Sequence, residues 1–385
     1  MKYCQNWVKN DFSTFAKKLT KKNNNNAIRN IICNSAQNGL IPQLDFFDKE
    51  IANNDNTSCY YIINNGDFVY NPRKSLNAPY GPVNIYKYDK AGIVSPLYLC
   101  FSVNGIDKKF LLHRFKSPCW HHYIYLNGDS GARHDRVSIR DDIFLSQPIF
   151  VPSKEEQTDI AVFLDKIDKR IEVQNKIISD LKILKKELCN KLFNSSLCDD
   201  EVEMRQIASV YGGYAFNSKT YASGKYKVVT IGNVTGDKYI NGDYNSVDSL
   251  PYNIQEQQIL NNGDILISLT GNVGRISLVN GDNYLLNQRV AKLNIEDDLM
   301  KEYVYQYLSN SSFEKDMNSA GQGAAQKNIK NEDILSYSIR IPTSQTSLEK
   351  IDRLLSTYDN LIKNKETILL NLKLQKIFLL NAMFI

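Results

Sequence analysis

The sequence predicts an α+β protein in which two globular, mostly β domains are separated by two long helices that pair as an antiparallel coiled coil, with pseudo-twofold symmetry. Two observations support this class. An amphipathic segment of helical periodicity occurs twice, at residues 164–193 and 355–384. The residues before each copy contain short apolar segments between Gly, Asn, Asp and Pro, which is typical of strands and turns. The repeat is longer than that of a solenoid, roughly 20–50 residues, so it indicates a tandem duplication of a domain and a helix.

The two amphipathic segments repeat each other in detail. Residue 355 aligns with residue 164, an offset of 191. Apolar residues then recur at every third or fourth position of both copies, which is the heptad pattern of a coiled coil. The predicted seam is formed by Ile160, Leu164, Ile167, Ile171, Gln174, Ile178, Leu181, Lys185, Leu188 and Leu192 in the first copy, and by Ile351, Leu355, Tyr358, Ile362, Lys365, Leu369, Leu372, Lys376, Leu379 and Met383 in the second.

Polar residues interrupt this seam at the same places in both copies. Gln174 aligns with Lys365, and Lys185 aligns with Lys376. Because a polar residue in an apolar seam is costly and tends to fix register, the four residues favour two helices that pair with each other over two that lie separately on their own domains. In an antiparallel pair, we expect Gln174 and Lys365 to approach each other near a pseudo-twofold axis. Each helix is predicted to be roughly 55 Å long at ~1.5 Å per residue.

The duplication extends beyond the helices. Pro152 and Pro342 each follow a short apolar strand and precede a helix, where proline is tolerated. The segment Asn-Asn-Gly-Asp occurs at residues 64–67 and again at 261–264. The predicted order is a domain at residues 1–152, a helix at 153–198, a second domain at 199–343 and a second helix at 344–385, with the helices themselves over about 157–193 and 348–384.

The strand candidates are short and rich in β-branched and aromatic residues. They lie at residues 67–70, 93–103, 123–126, 227–232, 264–269, 275–279 and 291–294. Two segments, 302–308 and 312–317, favour helices instead. The basic residues of the region 108–116 are predicted to lie on loops.

Composition excludes several classes of protein. A chain of 385 residues with 42% hydrophobic residues can form two or three packed cores. There is no run of about 18 apolar residues, and the N-terminus lacks the apolar segment of a secretory signal, so we expect no membrane contact. The seven scattered cysteines favour free thiols in a reducing cytosol over a disulfide framework. The net charge of +5 permits nucleic-acid binding without requiring it.

Motifs for catalysis are missing from the sequence. It has no G-x-x-x-x-G-K-[ST] loop for a nucleotide triphosphate, and no glycine-rich turn followed by an adenine-methyltransferase N/D-P-P-Y/F segment. Residues 271–274 (GNVG) are interpreted as a tight turn between strands rather than a phosphate loop. Asp141 and Asp142 align with Asn331 and Glu332 at an offset of 190, which favours a structural role at a strand entry over a nuclease pair.

A cluster of cysteine, tryptophan and histidine at residues 119–122, with His113 and His134 nearby, does not have the spacing of a structural zinc site. We therefore expect no metal in this chain. An aromatic and imidazole cluster at a surface that stacks on nucleic acid is the favoured interpretation.

Four segments carry a resemblance to a known family. Residues 149–193 read IFVPSKEEQTDIAVFLDKIDKRIEVQNKIISDLKILKKELCNKLF, and residues 261–294 read NNGDILISLTGNVGRISLVNGDNYLLNQRVAKLN. These resemble the central conserved region and a target-recognition domain of the DNA-specificity (S) subunit of type I restriction–modification systems. Residues 66–98 and 130–152 resemble another variant of that domain. The second helix departs from the pattern, because Ser344–Leu348 stands where the first copy has Lys154–Gln157.

The resemblance implies a sequence-specific DNA-binding subunit that is itself non-catalytic. It implies two target-recognition domains that each read one half of a split site in double-stranded DNA, and two helices that set the spacer between the half-sites. Independently of the resemblance, helices of the predicted length can place two half-sites roughly one helical turn of DNA apart, about 34–36 Å. The resemblance implies partners as well: two methyltransferase (M) subunits, which up to two restriction (R) subunits can join. S-adenosylmethionine, ATP and Mg are then expected in those partner subunits, and no cofactor is expected in this chain. The resemblance also implies that the protein works in the bacterial cytoplasm.

Basic and amide side chains beside Gly, Asn and Tyr are the candidate contacts to DNA, because phosphates and base edges require such groups. The candidates are Arg73, Lys74, Arg114, Arg133, His134 and Arg136 in the first domain, and Lys219, Asn272, Arg275, Gln322, Gln326 and Lys327 in the second. Arg favours guanine and Gln favours adenine, so the two half-sites are expected to differ.

Two alternatives of other classes remain at this stage. The chain could act as a stand-alone DNA methyltransferase or nuclease, against which the missing motifs count. It could also be a coiled-coil adaptor that does not bind DNA. The sequence does not give the recognised bases, the spacer length or the activity of the partner subunits.

Overall fold

The computed structural model describes residues 6–43, 57–129, 135–309, 311–320 and 327–384. It divides into two compact units. Unit 1 comprises Met1–Asn175 with Thr367–Ile385, and unit 2 comprises Lys176–Glu366. Within the described ranges, no helix combines the length and hydropathy needed to cross a membrane.

Unit 1 is built from short antiparallel strands with helices packed against them. Its strands are β1 (Val8–Asp11), β2 (Ala16–Lys18), β3 (Ile32–Ser35), β4 (Gly39–Pro42), β5 (Tyr61–Ile63), β6 (Phe68–Tyr70), β7 (Val83–Ile85), β8 (Gly92–Val94), β9 (Leu99–Val103) and β10 (Pro148–Val151). Its helices are α1 (Lys108–Lys116), α2 (His121–Asn127), α3 (Asp141–Leu145) and the first part of α4 (Lys154–Phe193). The sheets have the orders β2-β9-β6-β7, β3-β4, β5-β8 and β1-β10.

Unit 2 repeats this order of elements. Its strands are β11 (Asp200–Glu203), β12 (Ser209–Gly212), β13 (Tyr226–Val229), β14 (Asn245–Val247), β15 (Ile259–Leu260), β16 (Ile265–Ser268), β17 (Ile276–Leu278), β18 (Tyr284–Leu286), β19 (Val290–Asn294) and β20 (Ser338–Ile341). Its helices are α5 (Asp298–Leu308), α6 (Ser311–Ala320), α7 (Asn331–Leu335) and the first part of α8 (Gln345–Met383), besides the end of α4. The sheets have the orders β12-β19-β16-β17, β14-β13-β18-β15 and β11-β20.

The two units therefore share one topology. The sheet β2-β9-β6-β7 has the same order as β12-β19-β16-β17, and β1-β10 corresponds to β11-β20. In unit 2, β13 and β18 pair in parallel and join two antiparallel strand pairs, β13–β14 and β15–β18, into one sheet. In unit 1, a parallel bridge between Ile31 and Ile93 takes that position. The predicted duplication is thus present in the strand order as well as in the helices.

The repeated Asn-Asn-Gly-Asp segments form the same turn in both units. The side chain of Asp67 accepts the backbone N–H of Asn64 at 2.7 Å, and Asp264 accepts that of Asn261 at 2.8 Å. Gly66 and Gly263 have φ of +88° and +84°, a region that favours glycine because it lacks a Cβ. This local chemistry explains why the segment recurs before a buried strand in each copy.

Three predictions about local structure are wrong. Residues 123–126 lie in helix α2 rather than in a strand, and residues 93–103 form two strands, β8 and β9, rather than one. Residues 108–116 form helix α1 rather than a loop. Asp107 caps that helix by accepting the backbone N–H groups of Lys109 and Phe110, a start signal of the usual kind.

The long helices begin three residues before the predicted starts, and they belong to the cores of both units. In unit 1, Ile160, Leu164 and Ile167 of α4 share a buried cluster with Leu380 of α8. In unit 2, Cys189 of α4 shares a cluster with residues near the start of α8. The beginning of each helix thus packs with the end of the other, as the predicted antiparallel pairing requires. Every predicted seam position is buried or half-buried.

Candidate nucleic-acid interface

The long helices α4 and α8 are joined by two equivalent ion pairs. In unit 1, Lys376 of α8 donates to Asp168 of α4. In unit 2, Lys185 of α4 donates to Asp359 of α8. Since Lys376 aligns with Lys185 and Asp359 with Asp168 at the offset of 191, the two pairs are copies of one interaction. The predicted polar interruptions Lys185 and Lys376 are therefore neutralised by acids of the facing helix.

Each acid also receives a donor from its own globular domain. Asp168 accepts a hydrogen bond from the ammonium group of Lys116 of α1 at 3.1 Å. Asp359 accepts one from the side-chain amide of Gln306 of α5 at 2.8 Å. Lys238 approaches Asp359 at 3.1 Å as well. Burial alone would raise the pKa of Asp359, but the charges of Lys185 and Lys238 and the hydrogen bonds hold it below the usual range. These contacts fix each domain to the helices.

Gln174 and Lys365 belong to different units. Gln174 is buried, and it lies in unit 1, whereas Lys365 lies in unit 2. Their predicted approach near a pseudo-twofold axis stays a prediction.

Three of the candidate DNA contacts of unit 1 lie together. Arg73 and Arg136 are partners in an isolated antiparallel bridge, and the backbone N–H of Lys74 donates to the carbonyl of Asp135 at 2.8 Å. The bridge joins the segment after β6 to the segment before α3. Both arginines line a cavity of about 260 Å³. This edge of unit 1 therefore presents several cations at one place.

A network of asparagine side chains holds the Arg73 segment. Asn34 is buried and donates to the carbonyl of Val69 at 2.8 Å. Asn71 donates to the backbone carbonyl of Asn34 at 3.2 Å and accepts the backbone N–H of Arg73 at 3.0 Å. Because each amide is tied to backbone groups, the network sets the direction in which the chain leaves β6.

The equivalent bridge of unit 2 lies between Thr270 and Asn328, after β16 and before α7. Here the backbone N–H of Gly271 donates to the carbonyl of Lys327 at 3.1 Å, beside the exposed Asn272. Arg275 leaves the same turn and forms an ion pair with Glu314 of α6 at 3.2 Å. The segment 271–274 is a turn between β16 and β17, as predicted.

Lys219 is exposed on a separate short turn, where its backbone N–H is held by Asn217. No contact described in unit 2 joins it to the bridge. The structure therefore brings together three of the second-domain candidates, Asn272, Arg275 and Lys327, and leaves Lys219 apart.

Arg114 is not a surface residue, and its assignment as a DNA contact is wrong. Its side chain is only 3% exposed. It donates to the side chain of Gln147 at 2.9 Å and to the carbonyl of Pro148 at 2.8 Å. Because residues 108–116 form helix α1 rather than the predicted loop, Arg114 ties that helix to the start of β10.

The cluster at residues 119–122 is internal only in part, with Cys119 and His121 half-buried and His122 exposed. Trp120 is 1% exposed and donates its indole N–H to the carbonyl of Phe115. His113 is also buried, and its Nε2 lies 2.9 Å from Asp165 of α4. A surface that stacks on nucleic acid is therefore wrong for these two residues. In the described part of the chain, no group of three His, Cys, Asp or Glu side chains could hold a metal ion.

Four further candidates, Arg133, His134, Gln322 and Gln326, lie outside the described residues. Asp141 forms an ion pair with Lys18 at 2.6 Å, and Asp142 with Arg140. Both acids are in the first turn of α3, in keeping with a structural role before β10.

Sequence reasoning missed three acidic residues of these sites, Asp168, Asp359 and Asp135. Asp168 and Asp359 align at the same offset as the seam lysines, so their equivalence was visible but their pairing was not. Asp135, between the arginines of unit 1, gave no signal.

Comparison with known proteins defines the class. The chain matches the family of type I restriction modification DNA specificity domains over residues 8–182 and again over residues 200–374. Because the two matches cover most of the sequence, the chain belongs to this family. The family membership confirms the predicted resemblance and the expectation of a non-catalytic specificity subunit.

Individual relatives agree with this assignment. The chain is 26% identical over 302 residues to the specificity subunit of the type I restriction enzyme MjaVIII of Methanocaldococcus jannaschii. The aligned part is 72% of this chain, and it spans 66% of the length of that relative.

Two solved structures share the fold. One comes from work on complex assembly and conformational transition of a type I R-M system, with a TM-score of 0.62, 14% identity and coverage of 98% of this chain and 97% of that chain. The other is the S subunit of a type I restriction–modification system from M. genitalium, with a TM-score of 0.55, 16% identity and coverage of 100% and 98%. At these identities the likeness establishes the fold.

Proposed function

We propose that this chain reads a bipartite site in double-stranded DNA, each unit contacting one half-site, and that its paired helices set the spacing. One observation carries the proposal. The ion pair between the long helices is the same in both units, Asp168 with Lys376 and Asp359 with Lys185. The equivalent isolated bridges, by contrast, carry arginines in unit 1 and neutral residues in unit 2. Helices that are alike in both units suit a fixed spacer, and bridges that differ between the units suit two unlike half-sites.

The chemistry of the residues at and beside these bridges suits DNA. Lys74 in unit 1, and Arg275 and Lys327 in unit 2, can contact phosphates, which position a protein without reading sequence. Arg and Asn can also form bidentate hydrogen bonds with guanine and adenine, each worth about 1–3 kcal/mol of discrimination. Lys219 and the four candidates outside the described residues are proposed as additional contacts.

The long helices are proposed to dock two methyltransferase subunits. Large apolar side chains stay exposed at equivalent places on both helices. Phe163 is 45% exposed and aligns with Leu354 at 39%, and Ile183 is 55% exposed and aligns with Leu374 at 54%. Exposed apolar patches mark interaction sites. Each unit thus carries one copy of the same surface, which fits two copies of one partner.

The partners would supply the chemistry. The methyltransferase subunits would hold S-adenosylmethionine, and up to two restriction subunits would use ATP and Mg. The proposal includes these numbers of partner subunits and adenine as the base that is methylated. The spacer is proposed to be close to one helical turn of DNA, about 34–36 Å.

The test is to express the chain with its methyltransferase subunit and map methyladenine across a genome. We expect a split motif that appears only when both are present. Replacing the globular part of unit 2 with that of a relative should change one half of the motif and keep the other. Phe163→Asp should weaken methyltransferase binding, and exposed Lys169→Asp on the same helix serves as its control.

The alternatives predict different results. A stand-alone enzyme would methylate or cleave DNA when the pure chain is incubated with S-adenosylmethionine and Mg. A coiled-coil adaptor would show no salt-dependent DNA binding by the complex, whereas a DNA reader loses affinity steeply as salt rises. A methylation pattern that is unchanged by the domain replacement would refute the proposed function.

A further inference from the structure

The bridge in unit 1 places two cations opposite each other. The N–H of Lys74 donates to the carbonyl of Asp135, and the N–H of Val137 donates to the carbonyl of Pro72 at 2.9 Å. These two bonds flank Arg73 and Arg136, which therefore form a non-hydrogen-bonded pair, the kind in which facing side chains are closest. Like charges directly opposite each other are destabilising, so this arrangement requires a compensating group.

Asp135 is that group. Its Oδ2 lies 3.8 Å from Nε of Arg73 and 3.9 Å from Nε of Arg136. Both distances exceed the range of hydrogen bonds, about 2.7–3.2 Å, so the carboxylate balances the charges without taking up the guanidinium N–H groups. The side chains of Arg73, Asp135 and Arg136 are 68%, 49% and 33% exposed. All three can therefore reach a ligand from solvent.

We propose that Asp135, Arg73 and Arg136 form a base-reading triad that recognises a G·C base pair and disfavours the phosphate backbone. The inference rests on the proposed function of the chain. Arg donates two hydrogen bonds to O6 and N7 of guanine, and Asp accepts one from N4 of cytosine, so donors and an acceptor side by side match the major-groove edge of G·C. An A·T pair presents an acceptor, a donor and an acceptor in that order, so it lacks the two adjacent acceptors that the arginine requires.

The carboxylate also determines what the arginines avoid. A phosphate group is an anion, so binding it between Arg73 and Arg136 would place two negative charges close together. The guanine edge is neutral and meets no such repulsion. Asp135 thus directs the arginines away from non-specific phosphate contacts, which supply essentially all of the binding to non-cognate DNA. Repulsive elements of this kind are a common source of specificity.

Unit 2 has a different composition at the equivalent place. Its bridge joins Thr270 to Asn328, two neutral residues. The triad therefore belongs to unit 1, and the G·C preference that it confers is expected in the half-site that unit 1 reads.

The experiment uses the complex of this chain with its methyltransferase subunit and the motif that the wild-type complex methylates. Binding is measured to a duplex with that motif, to duplexes in which each G·C pair is replaced by A·T, and to a duplex without the motif, over a range of salt. Asp135→Asn is expected to bind the motif-free duplex roughly 3- to 10-fold more tightly, with a salt slope steeper by about 0.9 per added phosphate contact.

The arginine variants test the base pair directly. Arg136→Ala and Arg73→Ala should lose the preference for one G·C position, a change of about 5- to 150-fold, corresponding to about 1–3 kcal/mol. Asp135→Glu keeps the charge and should retain most of the discrimination. Glu203→Gln is the matched control, because Glu203 is also 49% exposed and pairs with an arginine Nε, so it changes the net charge equally.

The outcomes separate this inference from the proposed function. If the wild-type complex methylates no split motif, the proposed function fails and the triad with it. If the motif is present but Asp135→Asn binds like wild type, or no more tightly to the motif-free duplex than Glu203→Gln, the triad alone is refuted. Unchanged preference at every G·C pair in both arginine variants would refute it as well.

Discussion

Removing the charge of Asp359 should destabilise unit 2 more than the equivalent change destabilises unit 1. Asp359 is 11% exposed and faces Lys185, which is 18% exposed, Lys238, and the amide of Gln306. In Asp359→Asn, two lysines lose their counter-charge in a largely buried place. Leaving one partner of a buried pair uncompensated costs about 3–5 kcal/mol, and the partial exposure here reduces the expected loss to about 2–4 kcal/mol.

The matching change in unit 1 has a smaller expected effect. Asp168 is 31% exposed, about three times as much as Asp359, so solvent screens the remaining lysines better. We expect Asp168→Asn to cost about 1–2 kcal/mol. Glu366→Gln is the control for surface charge on the same helices, since the Lys182–Glu366 pair is about half exposed. Such pairs contribute about 0–1 kcal/mol.

The assay is urea unfolding of the full chain at neutral pH, with thermal melts as a second measure. For a unit of this size, 1 kcal/mol corresponds to about 2–4 °C, so Asp359→Asn should lower its transition by roughly 4–16 °C. Because the pKa of Asp359 is held below its unfolded value of about 3.9, this contribution is present above that pH and is lost as the pH falls through the folded pKa. An Asp359→Asn loss no larger than that of Glu366→Gln would refute the reasoning.

Two other predictions concern helix α1. Arg114→Ala should destabilise unit 1 by about 3–5 kcal/mol, since it leaves the side chain of Gln147 and the carbonyl of Pro148 without their donor. The folded variant should still bind DNA with unchanged affinity. A loss of DNA binding without a loss of stability would restore Arg114 as a DNA contact. Burial lowers the pKa of His113 below its usual value despite the hydrogen bond to Asp165, so the stability that neutral His113 contributes above about pH 6.5 is lost as the pH falls. In His113→Gln, the urea midpoints of unit 1 at pH 7.5 and 5.5 should therefore converge. An equal pH dependence of the midpoint in wild type and variant would contradict this.

The fold class was predictable because its signals are local and occur twice. Heptad spacing in α4 and α8, the Asn-Asn-Gly-Asp turns and the prolines before the long helices depend on nearby residues alone. A second copy of each signal made chance agreement improbable. Two of the three wrong assignments fell on α1 and α2, where the segments are short, rich in histidine and basic residues, and without strong apolar periodicity.

The candidate site was predictable only in part. Arg73, Arg136, Arg275 and Lys327 were identified by residue type and by their position beside turns. Arg114 satisfied the same criteria and is buried. Residue type cannot tell a cation that faces solvent from one that satisfies internal carbonyls, because that difference depends on what packs over the side chain.

The sequence by itself determined the duplication and the coiled-coil seam, because both follow from the spacing and alignment of residues along the chain. The tertiary structure decided which charges meet. The pairs Lys376–Asp168 and Lys185–Asp359 join residues about 170 to 210 positions apart, and Asp135 balances two arginines that a single bridge brings together. Electrostatic energy depends on distance in space and on exposure to solvent, and neither quantity is written in the order of the residues.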